Sequence, residues 1–159
     1  MSEFTHIDKQ GRVRMVDVTE KEPTLRVAVA QGIVSMNPDT FDKIMNQTVQ
    51  KGNVLETARI AGIMAAKKTS ELIPMCHPLN ITYIAIDFFP DKTKSTIKIE
   101  GAVRIIDQTG VEMEALTAVS IAGLTIYDMC KSYDRKMIIS DVCLIEKSGG
   151  KSGVFMRKE

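Results

Sequence analysis

The chain has 159 residues, which is the length of one ordinary domain. Its composition is 44% hydrophobic and 26% charged, with 10 glycines and 5 prolines, and this excludes the disordered and collagen-like classes. The 21 basic and 20 acidic side chains leave a net charge of +1, which disfavours a general nucleic-acid-binding protein.

Apolar runs and cysteines bear on where the protein works. No apolar run approaches the ~18 to 20 residues that cross a bilayer, and the first residues are polar, so we expect neither a membrane protein nor a secreted one. Cys76, Cys130 and Cys143 are odd in number and form no CxxC pair, which disfavours a disulfide framework or a zinc ribbon. We expect a cytoplasmic protein with no membrane or nucleic-acid partner.

The first half of the chain predicts one strand followed by helices. Residues 25–36 alternate with a period of two, which indicates a strand with one face of small side chains. Asn37-Pro38-Asp39 then opens a short helix from 40 to about 49. Asn53 and Glu56 resemble a capping box, which predicts a longer helix that ends near residue 70.

The second half predicts three strands and one long helix. Residues 81–89 and 96–107 are β-rich and read as an antiparallel hairpin across residues 90–92. A largely apolar helix follows from 112 to about 133, and 137–147 is a last β-rich segment.

These elements predict the α+β class. Without the short helix their order is βαββαβ, typical of ferredoxin-like folds, in which two main helices cover one face of a four-stranded antiparallel sheet. We expect a single domain over 1–159, with residues 1–10 and 148–159 loosely held. Its helices carry more apolar residues than one buried face requires, which favours a homo-oligomer.

The glycine-rich segment 148–152 (SGGKS) looks like the end of a P-loop. We reject that interpretation because Ile145 stands where the loop requires its first glycine. Two interpretations remain open: a tail that closes over an anion with backbone N–H groups, Lys147 and Lys151, or a basic terminus without a binding role.

Two other segments carry chemically useful side chains. His77 lies in a proline-bounded turn and can exchange protons near neutral pH, although a purely structural role is equally open. A metal site with Cys76 would need ligands that the sequence does not supply nearby.

Asp128 and Lys131 lie one helical turn apart after an uncharged stretch. A surface ion pair is the ordinary interpretation, but partial burial would tune the pair for proton transfer. Glu112 and Glu114 in a first helical turn are explained by the helix dipole alone.

Five motifs together resemble one known family, the cyclic pyranopterin monophosphate synthases, also called molybdenum cofactor biosynthesis protein C. The motifs, in the same order as in that family, are 51–52 (KG), 73–79 (IPMCHPL), 110–116 (GVEMEAL), 126–131 (IYDMCK) and 144–153 (LIEKSGGKSG). The resemblance covers nearly the whole chain and departs at Met75, where the family has Leu, a residue of similar volume.

The resemblance implies a lyase that converts 3′,8-cyclo-7,8-dihydroguanosine 5′-triphosphate into cyclic pyranopterin monophosphate and diphosphate. It implies a ferredoxin-like hexamer, a trimer of dimers with active sites at the dimer interface. It implies no resident cofactor and leaves open a Mg²⁺ ion that accompanies the triphosphate. Carried over to this sequence, the catalytic residues are Asp128 and Lys131. The substrate-binding positions are Met75, Cys76, His77, Met113, Glu114, Lys51, Arg26, Lys147 and Glu112.

Helix geometry adds one expectation about assembly. Glu114 and Asp128 lie fourteen residues apart on one predicted helix, which separates their backbones by roughly 21 Å. We therefore expect Met113 and Glu114 of one subunit to share a pocket with Asp128 and Lys131 of its neighbour.

Two other classes compete with the enzyme. An RNA-recognition motif has the same element order, but residues 25–36 and 96–107 contain no aromatic residue on which bases could stack. A regulatory domain that binds a small ligand on this fold would bind without turning its ligand over.

Overall fold

The computed structural model describes residues 10–151 and 153–158. Within these residues the elements are β1 (Thr24–Ser35), α1 (Pro38–Met45), α2 (Val54–Lys67), α3 (Thr69–Leu72), β2 (Tyr83–Asp91), β3 (Thr96–Asp107), α4 (Glu112–Cys130), β4 (Ile138–Ser148) and β5 (Phe155–Met156). Leaving out α1, α3 and β5, the order is βαββαβ, as the sequence pattern predicted. The fold is therefore of the α+β class.

The strands form one antiparallel sheet in the order β2-β3-β1-β4-β5. The expectation of four strands is wrong, because β5 pairs with Glu146 and Lys147 at the end of β4. A strand of two residues is too short to show an alternating pattern, and it lies in the segment 148–159 that we expected to be loosely held. The predicted looseness of 1–10 falls mostly on residues outside the described part of the chain, as do positions 152 and 159.

The expectation of one short extra helix is also wrong, because the described residues contain two. The predicted long helix ends at Lys67, and α3 begins at Thr69. The Thr69 hydroxyl donates to the carbonyl oxygen of Ala66 at 3.0 Å. Such side-chain bonds to the preceding turn compete with regular helix geometry. Helices α1 and α2 begin beside the expected caps, because Asn37 and Asn53 accept backbone N–H bonds at their starts.

The β2–β3 hairpin confirms the two predicted strands but turns later than predicted. Pro90 and Asp91 pair with Ile97 and Thr96, so the turn lies at 92–95 rather than 90–92. A proline fits this position because β2 is an edge strand, where a missing N–H need not break the sheet.

Small residues bring the helices close to the sheet and to each other. Ala28 and Ala30 on the small-residue face of β1 are fully buried, and α4 packs over them. On α2, a β-carbon at Gly62 would lie 2.8 Å from the carbonyl oxygen of Ala118. Helix α4 therefore packs against β1, β3 and β4 and against α2, which itself contacts β2.

Helix α4 is long and apolar enough to cross a membrane by length and composition, the one such helix among the described residues. Half of its most apolar window is buried inside this fold, with Ala118, Ala122 and Ile126 fully inaccessible. A helix that fills a protein core has the same composition, so the property carries no further conclusion.

Apolar side chains also remain on two outer surfaces of the chain. On the sheet face away from the helices, Leu25 and Ile106 are exposed neighbours on β1 and β3. On the helices, Ile60, Met64 and Leu124 are exposed. These side chains are the apolar excess that the sequence indicated.

Candidate active site

A cleft of about 550 Å³ lies where the sheet meets the first turn of α4. Antiparallel pairing creates it, since Thr24 at the start of β1 lies opposite Asp107 and Val27 lies opposite Ser148. Eight of the predicted site residues line its wall: Arg26, Met75, Cys76, His77, Glu112, Met113, Glu114 and Lys147. Residues from four separate parts of the sequence thus meet in one cavity.

Two of the three Lys and Arg side chains that line the cleft are held by groups of the same chain. Lys147 on β4 forms an ion pair with the Glu112 carboxylate, and both side chains are about three-quarters buried. The Arg26 guanidinium donates to the carbonyl oxygens of Asp107 at 3.2 Å and Gln108 at 3.1 Å. The cleft therefore presents positive charge whose position is set before any ligand arrives.

Glu114 is the most deeply buried carboxyl group of the cleft, with 3% of its surface exposed. Burial raises the pKa of Glu114 to about 7, and the neighbouring charge of Glu112 adds to the effect. Near neutral pH its carboxyl group is thus present in both forms and can accept or donate a hydrogen bond.

The turn that contains Met75, Cys76 and His77 closes one side of the cleft. The Cys76 N–H donates to the carbonyl oxygen of Ile73 at 3.1 Å, which fixes the turn. Burial, and secondarily the charge of Glu114, raises the pKa of the Cys76 thiol. The thiol is therefore neutral near pH 7, which suits a binding contact and not a nucleophile. Within the described part of the chain no three His, Cys, Asp or Glu side chains are grouped as a metal ligand set.

A second cluster forms around the last turn of α4. The Lys131 ammonium lies 2.7 Å from one carboxylate oxygen of Asp128, and that of Lys51 lies 3.2 Å from the other. Lys51 also donates to the Asp128 carbonyl oxygen at 2.8 Å. The expected partial burial is wrong for this single chain, because Asp128 and Lys131 are 59% and 53% exposed.

Neighbouring charged groups nevertheless set the protonation states of Asp128 and Lys131 in this second cluster. Hydrogen bonds from Lys131 and then Lys51 lower the pKa of Asp128, and the hydrogen bond to Asp128 raises the pKa of Lys131. Near pH 7 the cluster therefore holds one ionised carboxylate between two ammonium groups. A carboxylate can accept a proton and an ammonium can donate one, so both halves of an acid–base pair are present.

The single chain does not bring the two clusters together. Glu114 lies in the first turn of α4 and Asp128 in the last, and the helix is continuous between them. A rise of ~1.5 Å per residue again gives roughly 21 Å between the two backbones. Lys51, Asp128 and Lys131 thus belong to one surface, and the other eight predicted residues belong to the cleft.

Two supporting residues were missed by the sequence reading. The Tyr133 hydroxyl accepts a hydrogen bond from the Gln50 N–H at 3.2 Å, beside Lys51. The buried Asp134 carboxylate accepts the N–H groups of Asn37 at 2.8 Å and Lys136 at 2.9 Å. The bonds to Gln50 and Asn37 join residues 83 and 97 positions apart, so no local pattern could have indicated them.

A cleft lined by apolar side chains and by ionisable groups with shifted pKa values is typical of an enzyme that acts on a small molecule. Residues 15–150 match the model of the MoaC family. The chain is 63% identical to the cyclic pyranopterin monophosphate synthase of Desulforapulum autotrophicum, over 98% of this chain and 96% of the relative. It is 61% identical to the protein of the same name from Desulfatibacillum aliphaticivorans, over 99% of both chains. The corresponding protein of Pelotomaculum thermopropionicum is 60% identical over 99% of this chain and 93% of its own. The chain belongs to the MoaC family.

Proposed function

We propose that this protein is a cyclic pyranopterin monophosphate synthase of molybdenum cofactor biosynthesis, a lyase that converts 3′,8-cyclo-7,8-dihydroguanosine 5′-triphosphate into cyclic pyranopterin monophosphate and diphosphate. The observation that carries the proposal is the family match over 15–150, with relatives of that name over nearly the full chain. The cleft supports it by gathering eight of the family's site positions in one cavity.

The cleft has groups for both ends of such a substrate. Arg26 and Lys147 supply positive charge for a triphosphate, which would compete with Glu112 for the Lys147 ammonium. Met75 and Met113 offer apolar side chains to a flat ring, and Glu114 offers a carboxyl group to its polar edge. The proposal needs no resident cofactor, and a Mg²⁺ ion bound to the triphosphate would enter with the substrate.

Asp128 and Lys131 supply the chemistry in this proposal. The ring of the substrate must open and a new ring must close, and both steps move protons. A sugar hydroxyl must then attack the α-phosphate while diphosphate leaves. An ionised Asp128 serves as base and a protonated Lys131 as acid, and each such contribution typically accelerates a reaction by ~10² to 10⁴. Lys51 balances the charge of Asp128 and offers a third cation for the phosphates.

The two clusters form one site if two subunits combine. We propose a homo-oligomer in which Met113 and Glu114 of one subunit face Asp128 and Lys131 of its neighbour. The separation of the clusters along α4 supports this, as do the exposed apolar side chains on α2 and α4. The resemblance extends the proposal to a cytoplasmic hexamer, a trimer of dimers of ferredoxin-like chains.

The activity is tested directly by diphosphate release. Purified protein incubated anaerobically with the cyclised nucleotide should release diphosphate and form the cyclic monophosphate, detected by mass spectrometry. The matched control is Asp128→Asn, which removes the ionised carboxylate at almost constant volume. A protein that binds the nucleotide with no product above this control would be the regulatory domain and not the synthase.

The shared site is tested by mixing inactive subunits. Glu114→Gln and Asp128→Asn proteins are combined under conditions that exchange subunits, and exchange is verified by native mass spectrometry. Mixed dimers hold one intact site of two, so about a quarter of wild-type activity should return if dimers form at random. Each variant exchanged with itself is the control. No recovery after verified exchange would contradict a site built from two subunits.

A further inference from the structure

The glycine-rich segment after β4 forms a turn that is anchored at both ends. The chain leaves the sheet at Gly149 and Gly150, with φ of +99° and +72°, and returns as β5. Beyond β5 the Arg157 N–H donates to the carbonyl oxygen of Ile145 at 2.8 Å, and its side chain donates to that of Leu144 at 2.8 Å. The segment is therefore part of a β4–β5 hairpin.

This turn rests directly on Arg26. A β-carbon at Gly150 would lie 1.6 Å from Nη1 and 2.6 Å from Cζ of Arg26, so the glycine backbone is packed against the guanidinium group. A β-carbon at Gly149 would lie 2.1 Å from the Leu25 carbonyl oxygen. Only glycine at both positions leaves Arg26 where it is.

Arg26 in turn holds the segment that enters α4. Arg26 as a whole residue is 9% exposed, with Nη1 under Gly150 and with Nε and Nη2 donating to the carbonyl oxygens of Asp107 and Gln108. The next residues, Thr109 and Gly110, line the cleft and lead into the first turn of α4. Gly150 thus contacts the Arg26 guanidinium, and the guanidinium binds the backbone that continues into the cleft wall.

We infer that Gly150 is a positioning residue for substrate binding: it fixes the Arg26 guanidinium, and Arg26 fixes the cleft wall at 107–110 and the first turn of α4. This inference rests on the proposed function for its effect on catalysis. A side chain at Gly150 would push the guanidinium aside, release the two carbonyl oxygens and shift the residues that bind the substrate. Asp128 and Lys131 lie at the other end of α4 and would keep their geometry.

The test compares two glycines of the same turn. Gly150→Ala and Gly153→Ala place alanine at nearly equal φ, +72° and +67°, but a β-carbon at Gly153 meets nothing within 4 Å. Both variants therefore place alanine in the left-handed region of φ, and only Gly150→Ala brings a β-carbon against Arg26. We expect Gly150→Ala to raise KM about 10- to 100-fold with kcat nearly unchanged, and Gly153→Ala to leave both constants near wild type. Equal changes in the two variants would overturn the inference.

A second substitution tests whether the effect passes through Arg26. Arg26→Lys keeps the charge but removes Nη1, the atom that a β-carbon at Gly150 would strike. Gly150→Ala should therefore change KM far less in the Arg26→Lys background than in wild type. Arg26→Lys alone should raise KM because one of the two carbonyl contacts is lost, and it gives this result even if Gly150→Ala fails to fold. Fully additive changes, or a normal KM in Arg26→Lys, would contradict the inference.

Hydrogen exchange separates this inference from the proposed function. Amide exchange at 109–111 should accelerate in Gly150→Ala and in Arg26→Lys, but not in Gly153→Ala. This measurement needs no substrate. It therefore tests whether Gly150 acts through Arg26 on residues 107–110 even if the protein releases no diphosphate. Unchanged exchange in all three variants would refute it, whatever the activity.

Discussion

The buried Glu114 carboxyl group makes the stability of this protein depend on pH in a defined direction. Burial raises its pKa in the folded chain to about 7 from the ordinary value of 4.5. The folded state therefore binds a proton more tightly than the unfolded state does. Its contribution to stability is complete below pH 4.5 and is lost as the pH rises through 7. Since one pKa unit corresponds to about 1.4 kcal/mol, the full change is about 3 kcal/mol.

The prediction is tested with Glu114→Gln, which keeps the shape of the side chain and cannot ionise. The free energy of unfolding of both proteins is measured by urea denaturation from pH 4 to 8.5 at one protein concentration. Relative to the glutamine variant, wild type should lose about 3 kcal/mol between pH 4.5 and pH 8.

The control is Glu71→Gln, a substitution of an exposed carboxylate on α3. Its difference from wild type should stay within about 0.5 kcal/mol at every pH, as is usual for surface substitutions. If the Glu114 difference is equally flat, the carboxyl group is hydrated in solution and the argument from burial fails.

Three further predictions concern catalysis and packing. Asp128→Asn should lower kcat by about 10² to 10⁴ while leaving the substrate dissociation constant, measured by calorimetry, nearly unchanged; a normal kcat would remove Asp128 from the chemistry. Gly62→Ala should destabilise the fold by about 1 to 3 kcal/mol because its β-carbon meets the Ala118 carbonyl oxygen. Gly123→Ala, a matched helix glycine whose nearest neighbour is a side chain at 3.2 Å, should stay within about 1 kcal/mol of wild type by chemical denaturation. Asp134→Ala should cost about 1 to 3 kcal/mol because two backbone N–H groups lose their acceptor, and an unchanged denaturation midpoint would show that water replaces it.

Local patterns in the sequence were enough to predict the main elements. The alternation in 96–107 gave the bounds of β3 found in the structure, and Asn37 and Asn53 marked the starts of α1 and α2. These signals work because strand alternation and helix capping involve residues within four positions of each other. The short β5 escaped because its pairing with β4 carries no local pattern.

For the candidate site too, some properties could be predicted from the sequence and others depend on the tertiary structure. Motifs in the sequence supplied the residue types and the distance along α4 between Glu114 and Asp128, since a helix has a fixed rise per residue. Only the packed chain buries Glu114, leaves Asp128 exposed and seats Gly150 on Arg26. Burial and contact are made by residues distant in sequence, and the pKa values and charge positions of the site follow from them. The sequence thus names the chemical groups, and the tertiary structure decides their environment.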